Sequence, residues 1–328
     1  MVSYSSSANE EKFMKKNNKI ISQEERLLII HDLDKLIPKI RFWRDDNKSI
    51  WFNRFNRLKH YHCKYLLFLL SKIYSFTISI KTFFNSRLFF RLPEHYYFLI
   101  SGFWPELLDQ TYEGNLTKFL IKNLQRGDIF FDVGANCGFY TVLARSFVGE
   151  EGQVHAFEPG KLAFDLLKKN KADFKNVYIN NIAIYNKKGY INFYLNRFSV
   201  GNTIKVRSGY NLKDFKKTIV KTITIDDYCR ERSIIPTFIK IDIEGSEDGM
   251  IMGAQKILEF NNPIIAIEMV KRNIQSHRNA FRSLIRLGYK PYAINDYGDL
   301  TLFYSDNISP EIYFKNKGPQ MENLIFKK

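Results

Sequence analysis

The spacing of apolar positions changes along this chain, and the changes mark its elements. From residue 24 to about 40, Leu27, Leu28, Ile30, Leu33, Leu36 and Ile37 recur at helical spacing. Residues 60–90 are dense in Leu, Ile and Phe, but Lys64, Lys72, Lys81 and Arg87 interrupt them. A membrane-crossing helix needs ~20 predominantly apolar residues. This stretch therefore predicts a helix packed on the rest of the protein, or an interfacial helix whose lysines reach back to water. Beyond residue 114 short apolar runs alternate with amphipathic ones. The pattern predicts helices at 115–123, 139–147, 162–171, 254–260 and 280–287, and strands at 129–132, 153–157, 177–181, 238–241 and 264–268. Two further strands, 191–195 and 218–223, form an insertion, and 290–294 with 300–304 form a terminal pair. Residues 238–241 are continuously apolar, as a buried parallel strand should be. Strands alternating with helices imply a mostly parallel α/β sheet that binds ligands at its strand carboxyl ends. Asp132, Glu158, Asn181, Asp242 and Glu268 all fall at such ends, which points to one shared site.

Composition adds boundaries. The 328 residues, 45% apolar, suffice for one large domain and an extension. Residues 1–22 are polar and predict disorder, 23–98 a mainly helical, basic and aromatic extension, and 99–328 the catalytic domain. No apolar segment follows the start, so no secretory signal is expected. Three cysteines, widely spaced and odd in number, imply neither a disulfide framework nor a zinc cluster. That pattern favours a reducing, cytoplasmic setting, with 60–90 as the stretch that would meet a membrane surface. Cys137 has no base near it in sequence and reads as a loop filler. The net charge of +16 raises the question of nucleic acid. Residues 1–100, however, carry 18 Lys+Arg against 9 Asp+Glu, and the remainder 32 against 25, so the surplus is concentrated at the N-terminal end. No nucleic-acid partner is expected.

The chemistry is concentrated in two motifs. FFDVGANCG (130–138) runs from a strand into a glycine turn, and AFEP (156–159) ends the next strand in an acid. Gly134 and Gly138 would let the backbone approach a nucleoside, and Glu158 could accept hydrogen bonds from both ribose hydroxyls. Its plainer reading is a solvated strand-end acid. The turn is not GxGxxG, and Asp132 at its start would repel a pyrophosphate but suits an ammonium and a sulfonium, so S-adenosylmethionine is the better cofactor. The second motif is Lys240-Ile-Asp242-Ile-Glu244-Gly245-Ser-Glu247, whose alternation puts Lys240, Asp242 and Glu244 on one side.

Five blocks in order, DVGANCGFYTVLA, GQVHAFEP, NVYINNIAIYNKKGYINFY, TITIDDY and FIKIDIEGSEDGMIMGAQKIL, resemble the FkbM family of S-adenosylmethionine-dependent methyltransferases over roughly 112–269. The resemblance implies a Rossmann-like class I methyltransferase fold, with helices on both faces of the sheet. It implies that Asp132, Gly134, Asn136, Gly138, Glu158 and Asn181 hold the cofactor, with Asp132 facing the methionine ammonium and Asn181 near the adenine. A turn-forming role for Asn181 is the competing reading. It also sets Lys240, Asp242 and Glu244 beside the transferred methyl, with Asp242 as the candidate base for a hydroxyl. Glu244 and Glu247 orient the acceptor or cap the next helix. Glu268 and Asn202, in Gly201-Asn202-Thr203, would line the acceptor side, and His277 is a second candidate base. The same acids could hold a divalent metal, but their spacing does not specify one and none is expected. Enzymes acting on base amines carry an Asn/Asp-Pro-Pro-aromatic motif where this chain reads Asp242-Ile-Glu244-Gly245. The acceptor expected is therefore a hydroxyl on a sugar, a glycan precursor or another small metabolite.

Overall fold

The structure, a computed structural model, describes residues 24–26, 75–82, 84, 86–92, 113–171, 174–196, 201–204, 212–270, 275–302 and 321–328. An eight-stranded sheet forms its centre. Five of its strands, β3 (Ile129–Val133), β4 (Gln153–Phe157), β5 (Val177–Asn180), β9 (Phe238–Ile241) and β10 (Ile264–Val270), run parallel in the spatial order β5-β4-β3-β9-β10. The order reverses beside β3, which is where a doubly wound sheet opens a crevice for a ligand. Beyond β10 follow β13 (Met321–Lys327), β11 (Lys290–Ile294) and β12 (Leu300–Leu302). β13 is antiparallel to both neighbours. The expected terminal strand pair, β11 with β12, is present.

Alternation along β3 assigns its side chains to two layers. Phe130 packs with α1 (Gly114–Asn123) and α2 (Phe139–Val148), through residues such as Leu120 and Phe147. Phe131 faces the opposite layer of α4 (Ile225–Arg232), α5 (Glu247–Met252), α6 (Gln255–Phe260) and α7 (Gln275–Arg286), through Tyr228, Met250, Leu258 and Phe281. Both faces are covered, as the continuous apolar runs require. α3 (Lys161–Lys171) links β4 to β5. The fold is the expected Rossmann-like one. α4 was not anticipated, although its signal was local: the Thr224 hydroxyl accepts from the Asp227 N–H, and Asp226 and Asp227 occupy the first turn. The insertion is a small sheet of β6 (Ala183–Ile184), β8 (Phe215–Ile223) and β7 (Gly189–Asn196).

The extension departs from expectation. In place of a helix, β1 (Phe76–Lys81) and β2 (Arg87–Leu92) form an antiparallel hairpin. The cause is visible in FTISIK, where apolar and polar residues alternate strictly, the period of a strand. Leu88, Phe90 and Leu92 are fully buried in the same core as Leu116 and Leu143. β2 therefore packs into the same core as the elements that follow it. The buried Asn170 of α3 fastens the hairpin by accepting from the Phe89 N–H and donating to the carbonyls of Phe89 and Cys137. The helix expected at 24–40 is described only at 24–26, and residues 1–22 and 60–74 lie outside the described residues. No described helix is long and apolar enough to cross a membrane.

Candidate active site

The parallel register builds the site. Asp132 of β3 sits opposite Lys240 of β9, and Lys240 opposite Ala266 of β10. The small Ala266 leaves room for the long lysine. Two residues on, and on the same faces by strand alternation, come Asp242 and Glu268. The Lys240 ammonium lies 3.2 Å from Asp242 Oδ2, 3.7 Å from Asp132 Oδ1 and 5.0 Å from the centre of the Tyr140 ring. Burial works against its charge, but Asp242, Asp132 and Glu113 outweigh burial and hold its pKa above the ordinary lysine value. Lys240 is thus held as a cation between two carboxylates.

Around it the charge is overwhelmingly negative. One oxygen each from Asp242, Glu244 and Glu268 lies within 4.8 Å of the others. Burial, then the charges of Asp242, Glu244 and Glu113, push the Glu268 pKa well up. Asp132 is fully buried and accepts from the Thr141 hydroxyl at 2.6 Å through Oδ2, while Oδ1 has no hydrogen-bond donor. Burial raises its pKa too, against the pull of Lys240. Two members of the site are not among the residues singled out from the sequence. Glu113, at the start of α1, accepts from the Tyr140 hydroxyl, and burial followed by Asp242 raises its pKa. Both residues reach the site only because α1 and α2 pack beside β3.

Glu158 forms the other end. It is buried at the tip of β4, Oε2 taking the Asn136 N–H at 2.9 Å and Oε1 the Gly160 N–H at 2.7 Å. Each oxygen keeps a lone pair for a ligand hydroxyl. Burial pushes its pKa up to about 7. Asn181 donates to the carbonyls of Glu158 and Pro159, so it clamps the loop that carries Glu158. The turn-forming reading of Asn181 is the one its bonds satisfy. Asn136 has a left-handed backbone (φ 49°) and a buried side-chain oxygen without a donor. Gly134 and Gly138 have positive φ, but their closeness is to protein: a Cβ on Gly134 would lie 1.8 Å from the Asp242 carbonyl oxygen, and one on Gly138 2.6 Å from Leu167 Cδ1. Cys137 is buried with its thiol raised to about 12, which fits a filler and not a nucleophile.

Three residues sit away from the acid cluster. Glu247 is buried in the first turn of α5: Oε1 accepts from the Gly245 N–H at 2.8 Å, and Oε2 lies 3.0 Å from His277 Nε2. Burial alone would raise its pKa, but His277 and the Gly245 N–H hold it low. His277 belongs to α7 rather than to a loop, is itself buried, and braces this turn. Asn202 accepts from the Asn196 N–H and lies beside Gly160, near Glu158 and not among the acids of β9 and β10. Its neighbour Thr203 donates to the Glu244 carbonyl at 2.8 Å, which ties the insertion to the second motif.

The residues fit the expected cofactor, because Asp132 Oδ1 and Asn136 Oδ1, which accept no hydrogen bond, and the free lone pairs of Glu158 offer acceptors to an ammonium and to ribose hydroxyls. A model of the methyltransferase FkbM domain matches residues 132–305. Hexuronic acid methyltransferase AglP of Haloferax volcanii is 24% identical over 155 residues, 47% of this chain and 61% of that protein. A probable cobalt-precorrin-6B C(15)-methyltransferase of Sulfurisphaera tokodaii is 45% identical over 58 residues, 18% of this chain and 29% of that one. The chain thus spans less than two thirds of either relative. Among solved structures, methyltransferase FkbM from Methylobacillus flagellatus aligns at TM-score 0.38 and 15% identity, over 61% of this chain and 43% of that one. An O-methyltransferase from Bacillus cereus in complex with SAH aligns at TM-score 0.38 and 13% identity, over 70% and 94%.

Proposed function

Because this chain belongs to the FkbM family of methyltransferases, we propose that it transfers a methyl group from S-adenosylmethionine to a hydroxyl of a sugar, on a glycan precursor or a small metabolite. The observation that carries this reading is the convergence of acids at the tips of β3, β4, β9 and β10, with one buried lysine among them. The cofactor would supply an electrophilic methyl on a positively charged sulfur. Glu158 would accept from its ribose hydroxyls, and Asp132 Oδ1 would face its ammonium. The remaining carboxylates provide the negative potential that favours a sulfonium. Asp242 would take the proton of the acceptor hydroxyl, whose oxygen receives the methyl that the cofactor supplies. Lys240, kept charged, pairs with Asp242 at 3.2 Å and would orient its carboxylate.

The lining also restricts the acceptor. Five acids (Glu113, Asp132, Asp242, Glu244, Glu268) around one lysine disfavour a polyanion such as RNA, and an acidic sugar would have to turn its carboxylate away. Hydroxyl-rich, uncharged faces suit the site. The test is to incubate the full chain with methyl-labelled S-adenosylmethionine and pools of sugar nucleotides and lipid-linked sugars. Label is expected in an ether that survives mild base. Asp242→Asn should slow single-turnover transfer by about 10²- to 10⁴-fold while cofactor affinity changes little. Failure to bind the cofactor, or transfer into RNA instead, would overturn the reading.

A further inference from the structure

We propose that Asp242, Glu244 and Glu268 form a binding site for one hard divalent cation, Mg²⁺ or Mn²⁺, at the acceptor end of the site. Only the ion's role rests on the methyl-transfer reading; its binding does not.

The geometry admits a single ion. One oxygen from each carboxylate lies within 4.8 Å of the other two. Two oxygens on one ion can be no further apart than twice the bond length, ~4 Å for Mg²⁺ at bonds of ~2.0–2.1 Å, so the ion would draw the three carboxylates slightly together. Three neighbouring acids do not by themselves make a site, but Glu268 adds a separate observation. It is only 9% exposed, and among the described residues no donor or cation pairs with its carboxylate. The nearby ammonium of Lys240 is directed to Asp242 and Asp132. A buried carboxylate without a partner costs several kcal/mol, and the carboxylates beside it, Asp242 and Glu244, offer no counter-charge. Packing in the fold therefore supplies a ligand-seeking group where a cation would sit.

Donor chemistry selects the ion. Three carboxylates and no nitrogen or sulfur suit a hard cation rather than zinc or copper. Asp242 and Glu244 are half-buried while Glu268 is buried, so the protein closes one side and leaves the other open. That opening suits Mg²⁺, which keeps several waters and exchanges one for a substrate oxygen. At this position the ion would neutralise part of the excess charge and give the acceptor hydroxyl an oxygen-binding vertex.

The test uses the metal-stripped full chain without cofactor or acceptor. Mn²⁺ is titrated by calorimetry and by the paramagnetic resonance of free Mn²⁺. One equivalent should bind, and excess Mg²⁺ should displace it. Glu268→Gln and Asp242→Asn, each checked for folding by circular dichroism, should weaken binding at least tenfold. Asp165→Asn, an exposed acid of α3 paired with Lys161, should bind like the parent. The Glu268→Gln chain should also lose the rise in melting temperature that Mn²⁺ gives the parent. No binding at millimolar Mn²⁺, or full binding by both variants, overturns the site. A chain that binds Mn²⁺ but methylates no hydroxyl would refute the acceptor reading and leave the ion site standing.

Discussion

Glu158 couples its charge to folding and to ligand binding in opposite senses. Burial lifts its pKa from 4.5 to about 7. The folded state thus holds a proton that the unfolded chain releases near 4.5, and stability falls as pH rises through that window, by roughly 3 kcal/mol. Ribose hydroxyls donate to the ionised carboxylate, so the cofactor should bind more tightly from pH 6 to 8, with a midpoint near 7. Calorimetry should find this dependence in the parent and a weaker, pH-independent affinity in Glu158→Gln; an unchanged profile would remove the ribose assignment. Glu158, Asp132, Asp242 and Glu268 were legible in the sequence because each is an acid where an apolar run ends. Glu113 was not, since α1 brings it in from a distant stretch of chain. The alternation that groups Lys240, Asp242 and Glu244 could not foresee Glu247, because the chain turns at Glu244 (φ 57°) and Gly245 (φ 102°) and sends the next acid inward.

Between elements, the β3–α2 turn lies tightly against the tip of β9. The Asp242 N–H donates to the Val133 carbonyl, and the Gly134 N–H to that of Phe157, so β3 is laced to both neighbours just below the site. Gly134 has φ +82° and no space for a Cβ. Gly134→Ala should therefore move the Asp242 backbone or unfold the turn, at a cost of about 3 kcal/mol or more. A melting temperature within a degree or two of the parent would show that the turn yields more easily than its geometry implies. The sequence pointed to this glycine as a place of close approach, and the tip of β9 is one such neighbour. Elements with strong local periods, α1 to α3 and β3 to β5, lie where the pattern predicted. The β1–β2 hairpin does not, because one apolar run spanning 60–90 obscured the two-residue alternation inside it.

At the scale of the whole molecule, segments remote in sequence complete the central domain. β2 supplies Leu88, Phe90 and Leu92 to one core layer, and β13 enters the sheet between β10 and β11. Nothing local marks β13 as a strand of the central sheet: MENLIFK is short, and its partners lie far back in the chain. Yet Leu324, Ile325 and Phe326 are fully buried, and Asn323 sits opposite Glu268 in the register. Removing residues 321–328 would strip the hydrogen-bonding partner from two strands in mid-sheet. It would also forfeit three large side chains at about 1.5–3 kcal/mol each, a sum comparable to the 5–15 kcal/mol that holds a typical domain together. The truncated chain should fail to show a cooperative thermal transition. Leu324→Ala, which keeps the backbone pairing, should still melt cooperatively but with about 2–5 kcal/mol less stability. A truncated chain that melts like the parent would mean that β13 covers the sheet edge without holding it, and Glu268 would then sit on an exposed strand rather than in a closed site.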